Sequence, residues 1–277
     1  MVIPSGFEYH RPENVSSAVE ILKKHGDDAR VIAGGHSLVP LMKLRMAEMA
    51  HLVDLQEIAE LRRISFNRDN VVIGAMTTQA EIVSNGQLSS LIPILRETAL
   101  LISDPQVRNM GTMGGNVAHG DPGNDMPAVM QCLDAGYTLS GPDGTRTVKA
   151  RDFYESAYFT VRSDDEILTG ITIPMPVMSG YAYEKQKRKI GDYAIAAAAV
   201  LIGDGKASVA FTNLSDTPVW SASASRALAS GSIEQCVDCA MDAIEPQSDI
   251  RGPAEFKKHV AKVVLRRAIH KAMERTK

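Results

Sequence analysis

The chain reads as an α+β protein of two domains, the first of them divided into two subdomains. Three observations predict this. The apolar run Val31-Ile32-Ala33 opens into Gly34-Gly35 and a new apolar element from Leu38, the rhythm of a small α/β unit. Two alternating stretches, each folded back at a turn (Asn67 to Asn70, and Gly141-Pro142-Asp143-Gly144), read as antiparallel hairpins. Beyond Pro174 the chain resumes with a few strand runs and ends in helices.

The first unit, about residues 1–55, begins with a short strand at Phe7-Glu8-Tyr9. A helix follows, announced by Pro12, Asn14 and Ser17; Ser17 with Glu20 fits a capping box, and Gly26 suits its end. Strand 31–33, the glycine loop, an element over 38–45 and strand His51 to Leu55 complete it. The second unit, about 56–176, opens with the hairpin Leu61–Phe66 and Val71–Ala75. Thr77 or Thr78 caps a short helix over 79–83, and Pro93 stands at the head of a helix over 94–102. A second glycine loop, a helix over 126–133, the hairpin 137–148 and a strand from Glu166 to Ile173 follow. Pro174 to Gly180 is the best domain boundary, so the domains are 1–176 and 177–277. The second domain is a small antiparallel sheet from Gly180 to Thr212, then helices over 222–230, 232–243 and 254–275. Phe256, Val260, Val263, Val264, Ala268 and Met273 supply a core stripe for the last helix.

The 277 residues suffice for two domains and a substantial core, with 44% hydrophobic and 23% charged residues. A net charge of −3 argues against nucleic-acid partners. Cys132, Cys236 and Cys239 do not make a disulfide framework, which favours a reducing compartment. The lone C-x-x-C reads as small hydrophobes on a helix, and no metal ligand set is expected. No stretch has the length of a signal sequence core or of a membrane span, so a cytoplasmic protein is expected.

The chemistry concentrates in the two glycine loops. In Arg30 to Arg45 a buried strand stops at Gly34-Gly35, and His36 and Ser37 follow. Backbone of this kind can point several amides at an anion. The second loop runs from Asn109 to Asn116 and continues through Asp121-Pro122 to Ala128. Neither has the G-x-G-x-x-G spacing or the phosphate-loop pattern. Composition and spacing therefore stop at a two-loop nucleotide or dinucleotide site with its cofactor unspecified.

Ala33-Gly34-Gly35-His36-Ser37-Leu38, Gln106-Val107-Arg108-Asn109 with Gly111-Thr112-Met113-Gly114-Gly115-Asn116, and Asp125-Met126-Pro127-Ala128 resemble the flavin loops of a known family. Tyr183-Glu184-Lys185 through Gly191-Asp192-Tyr193-Ala194 and the helix carrying Leu265-Arg266-Arg267-Ala268 continue the likeness. The family is the FAD-binding medium subunit of molybdenum hydroxylases, of the xanthine dehydrogenase and carbon monoxide dehydrogenase type. The resemblance spans essentially the whole chain.

The resemblance implies an FAD-binding domain of the vanillyl-alcohol-oxidase (PCMH) type followed by a small α+β domain, with FAD held non-covalently at their seam. It also implies two partners: a small subunit with two-iron–two-sulfur clusters, and a large subunit that carries the molybdenum cofactor and oxidises the substrate. The assembly implied is a dimer of heterotrimers, meeting a membrane only through an electron acceptor. Carried over by position, Ile32, Ala33, Gly34, Gly35, His36, Ser37 and Leu38 form the first cofactor-binding segment. Val107, Gly111, Thr112, Gly114, Gly115 and Asn116 form the second, with amides at Thr112, Gly114 and Gly115 on the phosphates. Asp125 is expected at ribityl hydroxyls, and Ile102 and Leu168 as apolar and main-chain contacts. Lys185 is expected as a cation near the flavin, and Tyr193 as a gate at its face. No residue of this chain is expected to carry the substrate chemistry. A stand-alone flavin oxidase of the same fold is the alternative.

Overall fold

A computed structural model describes residues 3–175 and 178–276. The boundary expected at 176/177 lies outside the described residues.

The first unit is β1 (Glu8–His10), α1 (Val15–His25), β2 (Ala29–Ile32), α2 (Leu38–Lys43) and β3 (His51–Asp54). The strands form a parallel sheet in the order β1-β3-β2. Helix α1 is capped by Asn14, whose side chain accepts the Ser17 amide at 2.9 Å. The expected Ser17–Glu20 capping box is therefore absent. The helix starts at Val15, so Ser17 lies inside the first turn and its own amide is the group needing an acceptor. Ala33 falls outside β2 and belongs to the loop.

The second unit holds β4 (Ile64–Phe66), β5 (Asn70–Gly74), α3 (Gln79–Ser84), α4 (Gly86–Leu91), α5 (Pro93–Leu101), α6 (Pro105–Met110), α7 (Met113–Ala118), α8 (Asp125–Cys132), β6 (Gly136–Gly141), β7 (Gly144–Lys149), β8 (Tyr154–Ser156), β9 (Phe159–Thr160) and β10 (Ile167–Pro174). Its sheet has the order β4-β5-β10-β6-β7, with both hairpins where the sequence places them. Thr78 caps α3 in a complete capping box with Glu81. The second glycine loop is a correction: most of it is helical. Asp104 accepts the Val107 amide at 2.9 Å and Pro105 supplies the first helical residue, so α6 forms. Thr112 accepts the Gly115 amide at 3.1 Å and starts α7 at once. Only Gly111 and Thr112 separate the two helices.

The C-terminal unit is β11 (Gly180–Gln186), β12 (Ala196–Gly203), β13 (Lys206–Thr212), β14 (Val219–Trp220), α9 (Ala222–Ala229), α10 (Ile233–Asp242) and α11 (Ala254–Glu274). Its sheet is antiparallel in the order β11-β12-β13-β14. The alanine run of β12 has a physical use. Ala197, Ala199 and Leu201 join the core of the second unit, whereas Ala196, Ala198 and Val200 join the core under α9, α10 and α11. Successive side chains point to opposite faces, and both faces are covered, so small residues let two cores press on one strand. In α11 the expected stripe holds at Val260, Val264 and Ala268, but Phe256 and Met273 are exposed. Leu265, Ile269 and Ala272 are buried instead, one residue around the helix.

Candidate functional site

A cavity of about 590 Å³ lies where the three units meet. Its first wall is the carboxyl end of β2. Ile32 ends the strand, and Ala33, Gly34, Gly35, His36, Ser37 and Leu38 cross the cavity before α2. Gly35 takes φ +74°, where a side chain is strained and its Cβ would press on Val39. Among the described residues the amides of Gly34, Gly35, His36 and Ser37 have no hydrogen-bond partner. Four successive open donors beyond the carboxyl edge of a parallel sheet suit an anion. Ser37 occupies the N-cap position of α2, yet its hydroxyl caps nothing and stays available.

The second wall is α6 and α7, contributing Val107, Gly111, Thr112, Gly114, Gly115 and Asn116. Here the two glycine amides expected on the phosphates are already engaged. Gly114 donates to the Ala75 carbonyl at 2.8 Å and Gly115 to the Thr112 hydroxyl at 3.1 Å. The expectation that these amides hold phosphate therefore gives way at Gly114 and Gly115, whereas the Thr112 amide has no partner among the described residues. Their glycines serve packing: a Cβ on Gly114 would stand 2.7 Å from the Ala75 carbonyl oxygen, and one on Gly115 2.8 Å from the Thr112 hydroxyl. Asn116 is a brace, receiving the Met126 amide on its side chain and the Asn124 side chain on its carbonyl.

Ile102, Leu168, Asp125, Lys185 and Tyr193 close the cavity. Asp125 is the first residue of α8 and is buried. It accepts the Tyr183 hydroxyl at 2.6 Å on one oxygen and the Lys185 ammonium at 2.7 Å on the other. Burial pushes the Asp125 carboxyl upward, against the Lys185 ammonium beside it. Burial and the adjoining Asp125 hold the Tyr183 hydroxyl well above its ordinary value, so it remains a donor. The Tyr193 phenol is pushed up to about 12 by burial and by Asp121, and its ring lies against Gly123. Every site residue named from the sequence lines this one cavity.

A family model described as the FAD binding domain in molybdopterin dehydrogenase matches residues 5–176. A second, the CO dehydrogenase flavoprotein C-terminal domain, matches residues 181–272. The chain belongs to the FAD-binding medium-subunit family of molybdenum hydroxylases. It is 52% identical to the carbon monoxide dehydrogenase medium chain of Afipia carboxidovorans over 100% of both chains. It is 42% identical to that of Hydrogenophaga pseudoflava, covering 99% of each. The fold superposes on a Cu,Mo-CO dehydrogenase crystal structure with a TM-score of 0.95, covering 99% of both chains at 52% identity. Quinoline 2-oxidoreductase of Pseudomonas putida 86 matches with a TM-score of 0.92 at 30% identity over 98% of both chains.

The residues present fit the FAD of this family. Open amides suit its pyrophosphate. Gln79 also lines the cavity, and its buried Oε1 has no partner among the described residues. Of the basic run 185–189, Lys185 alone lines the cavity. Arg188 is turned away to Asp192 and the Ile250 carbonyl. Lys185 stands at the cavity as a cation paired with Asp125. Sequence reasoning missed Gln79, Tyr158, Arg162 and Asp164, which also line the cavity. The run Arg162-Ser163-Asp164-Asp165-Glu166 carried a signal, but charge runs ordinarily mark solvated loops. Here Arg162 is half-buried and donates to the Ser163 and Glu166 carbonyls.

Proposed function

We propose that the chain holds FAD non-covalently across this cavity and relays electrons within a larger enzyme. In this reading the pyrophosphate rests on the amides of Gly34 to Ser37, and the flavin ring lies toward Lys185 and Tyr193. The single observation that carries it is the row of four open amides facing a cavity walled by all three units. Bound FAD supplies the capacity to accept an electron pair and release it singly or together. The protein supplies position. The Lys185–Asp125–Tyr183 network fixes the floor with little net charge, and each Asp125 oxygen retains capacity to accept a ribityl hydroxyl. Tyr193, half-exposed at the mouth, screens one face.

The relay runs from the iron–sulfur clusters of a small subunit, through this chain, to an external acceptor. A large molybdopterin subunit oxidises the substrate, in a dimer of heterotrimers. Support comes from the names of relatives as medium chains and subunits. Carbon monoxide is the first substrate to test, on the 52% identity to a carbon monoxide dehydrogenase medium chain. Purines, aldehydes and N-heterocycles follow, since medium chains of glyceraldehyde and nicotine enzymes are also relatives. No helix among the described residues is long and apolar enough to cross a membrane. A cytoplasmic complex that meets a membrane only through its acceptor accords with three unpaired cysteines.

The test is native purification. The expected result is a flavin spectrum, release of all yellow colour on acid precipitation, and co-purification with one smaller and one larger chain. A protein that runs alone and oxidises an organic substrate unaided overturns the subunit reading. One without a flavin spectrum even after incubation with FAD overturns the cofactor site.

A further inference from the structure

The amino edge of the first sheet gathers three histidines that the flavin site does not use. We infer that His10, His25 and His51, with Glu8, form a binding site for a divalent first-row transition-metal cation, zinc above all. The three offer one ring nitrogen each, all within 4.8 Å of one another. Nε2 of His10 and Nδ1 of His51 face each other at 3.1 Å. The His25 and His51 rings lie 3.6 Å apart between centroids, and those of His10 and His51 5.2 Å. The Glu8 carboxylate adds a fourth arm, 3.4 Å from Nδ1 of His51 and 3.9 Å from Nε2 of His10.

Ligand nitrogens around tetrahedral zinc, at about 2.0–2.1 Å from the metal, stand about 3.3 Å apart. The His10–His51 separation is already close to that span. The set is also the right chemistry: imidazoles suit zinc, copper and nickel, and one carboxylate offsets half of the added charge. Regular elements hold each arm. His10 ends β1, His51 begins β3 and His25 ends α1. Glu8 pairs directly with His51 across the parallel ladder, and His10 lies two residues on, so all three project from one face. The positions 10, 25 and 51 follow no metal spacing motif, which is why the sequence alone does not show the site.

The test uses the full chain with its FAD, stripped of metal by chelator and titrated with Zn²⁺ by calorimetry. Bound zinc is then counted by elemental analysis after dialysis. The expected result is one equivalent per chain, a raised melting temperature, and at least about a tenfold weakening in both His25→Ala and His51→Ala. His270→Ala, exposed on α11, and Cys239→Ser should keep the equivalent. Unchanged FAD content certifies that each variant is folded. If His51→Ala does not fold, His25→Asn at the half-buried end of α1 carries the test. Wild-type protein that retains no zinc through dialysis, or folded His25 variants that bind it as wild type does, overturns the site.

Discussion

Gly34 and Met110 meet main chain to main chain: a Cβ on Gly34 would overlap the Met110 carbonyl oxygen. The two glycine segments therefore touch, with the open amides of the first beside this contact. Gly34→Ala should force them apart. The overpacking costs about 1–3 kcal/mol, and the displaced amides should lower FAD occupancy. Flavin per chain and the melting temperature check this, with Gly6→Ala as control, since nothing lies within 4 Å of a Cβ there. A fully flavinated, equally stable Gly34→Ala protein would refute the contact.

The Lys185 side chain is almost wholly buried against Asp125. Removing one partner of such a pair strands a charge, at a cost of about 3–5 kcal/mol. Lys185→Met should therefore be strongly destabilised and lose FAD. Lys185→Met with Asp125→Asn should recover much of the stability, because no charge is left unpaired. Denaturant unfolding of the two single variants and the double variant measures the coupling. Additive losses would mean that the two side chains act independently.

The fold class and the segments that line the cavity were legible because local chemistry decides them: turn residues, β2 ending at a glycine pair, and an apolar run at β12. The capping of α1 was misread because Asn14 and Ser17 are both good caps, and only the helix start chooses between them. The second glycine segment was misread as open loop because glycine marks both turns and close contacts; Gly114 against Ala75 is the second kind. The state of Lys185 was illegible for a different reason. Its partner Asp125 lies sixty residues away, and only the packing of α8 against the sheet that carries β11 brings them together.

Glu97 joins α5 to the C-terminal unit. It accepts the Tyr183 amide at 2.8 Å and pairs with Lys271 at 3.2 Å and Arg275 at 2.7 Å. Burial opposes its ionisation, but the bonds from Arg275 and the Tyr183 amide, with Lys271 nearby, prevail and hold the carboxyl below its ordinary 4.5. A depressed folded-state pKa stabilises the protein above the unfolded value, and that stability is lost as pH falls through the folded value. Wild type should lose this contribution as pH drops below about 4.5, and Glu97→Gln should show a shallower acid dependence there. Melting curves across that range decide it; parallel curves would remove Glu97 from the account.

Tyr193 stands at the cavity mouth, half-exposed, with the Arg251 guanidinium 5.3 Å from its ring centroid. It makes no side-chain hydrogen bond to the walls of the cavity among the described residues. Its loss should therefore spare the open amides of Gly34 to Ser37. Tyr193→Ala should keep full flavin content while changing the rate of reoxidation by artificial acceptors. Tyr193→Phe should behave as wild type if the ring, not the hydroxyl, does the screening. Rapid-mixing reoxidation of the reduced protein reads both variants, and an unchanged rate in Tyr193→Ala with every acceptor would dismiss the gate.

Ser37 and Thr112 occupy equivalent N-cap positions but spend their hydroxyls differently. Thr112 accepts the Gly115 amide, whereas Ser37 caps nothing. Thr112→Ala should cost about 1 kcal/mol of stability even without cofactor. Ser37→Ala should leave the cofactor-free protein unchanged and weaken FAD binding by about 0.5–1.5 kcal/mol, one hydrogen bond. Thermal unfolding of the stripped proteins, with FAD titration of each, separates the two. If Ser37→Ala destabilises the stripped protein as much as Thr112→Ala does, its hydroxyl is structural and is not available to the cofactor.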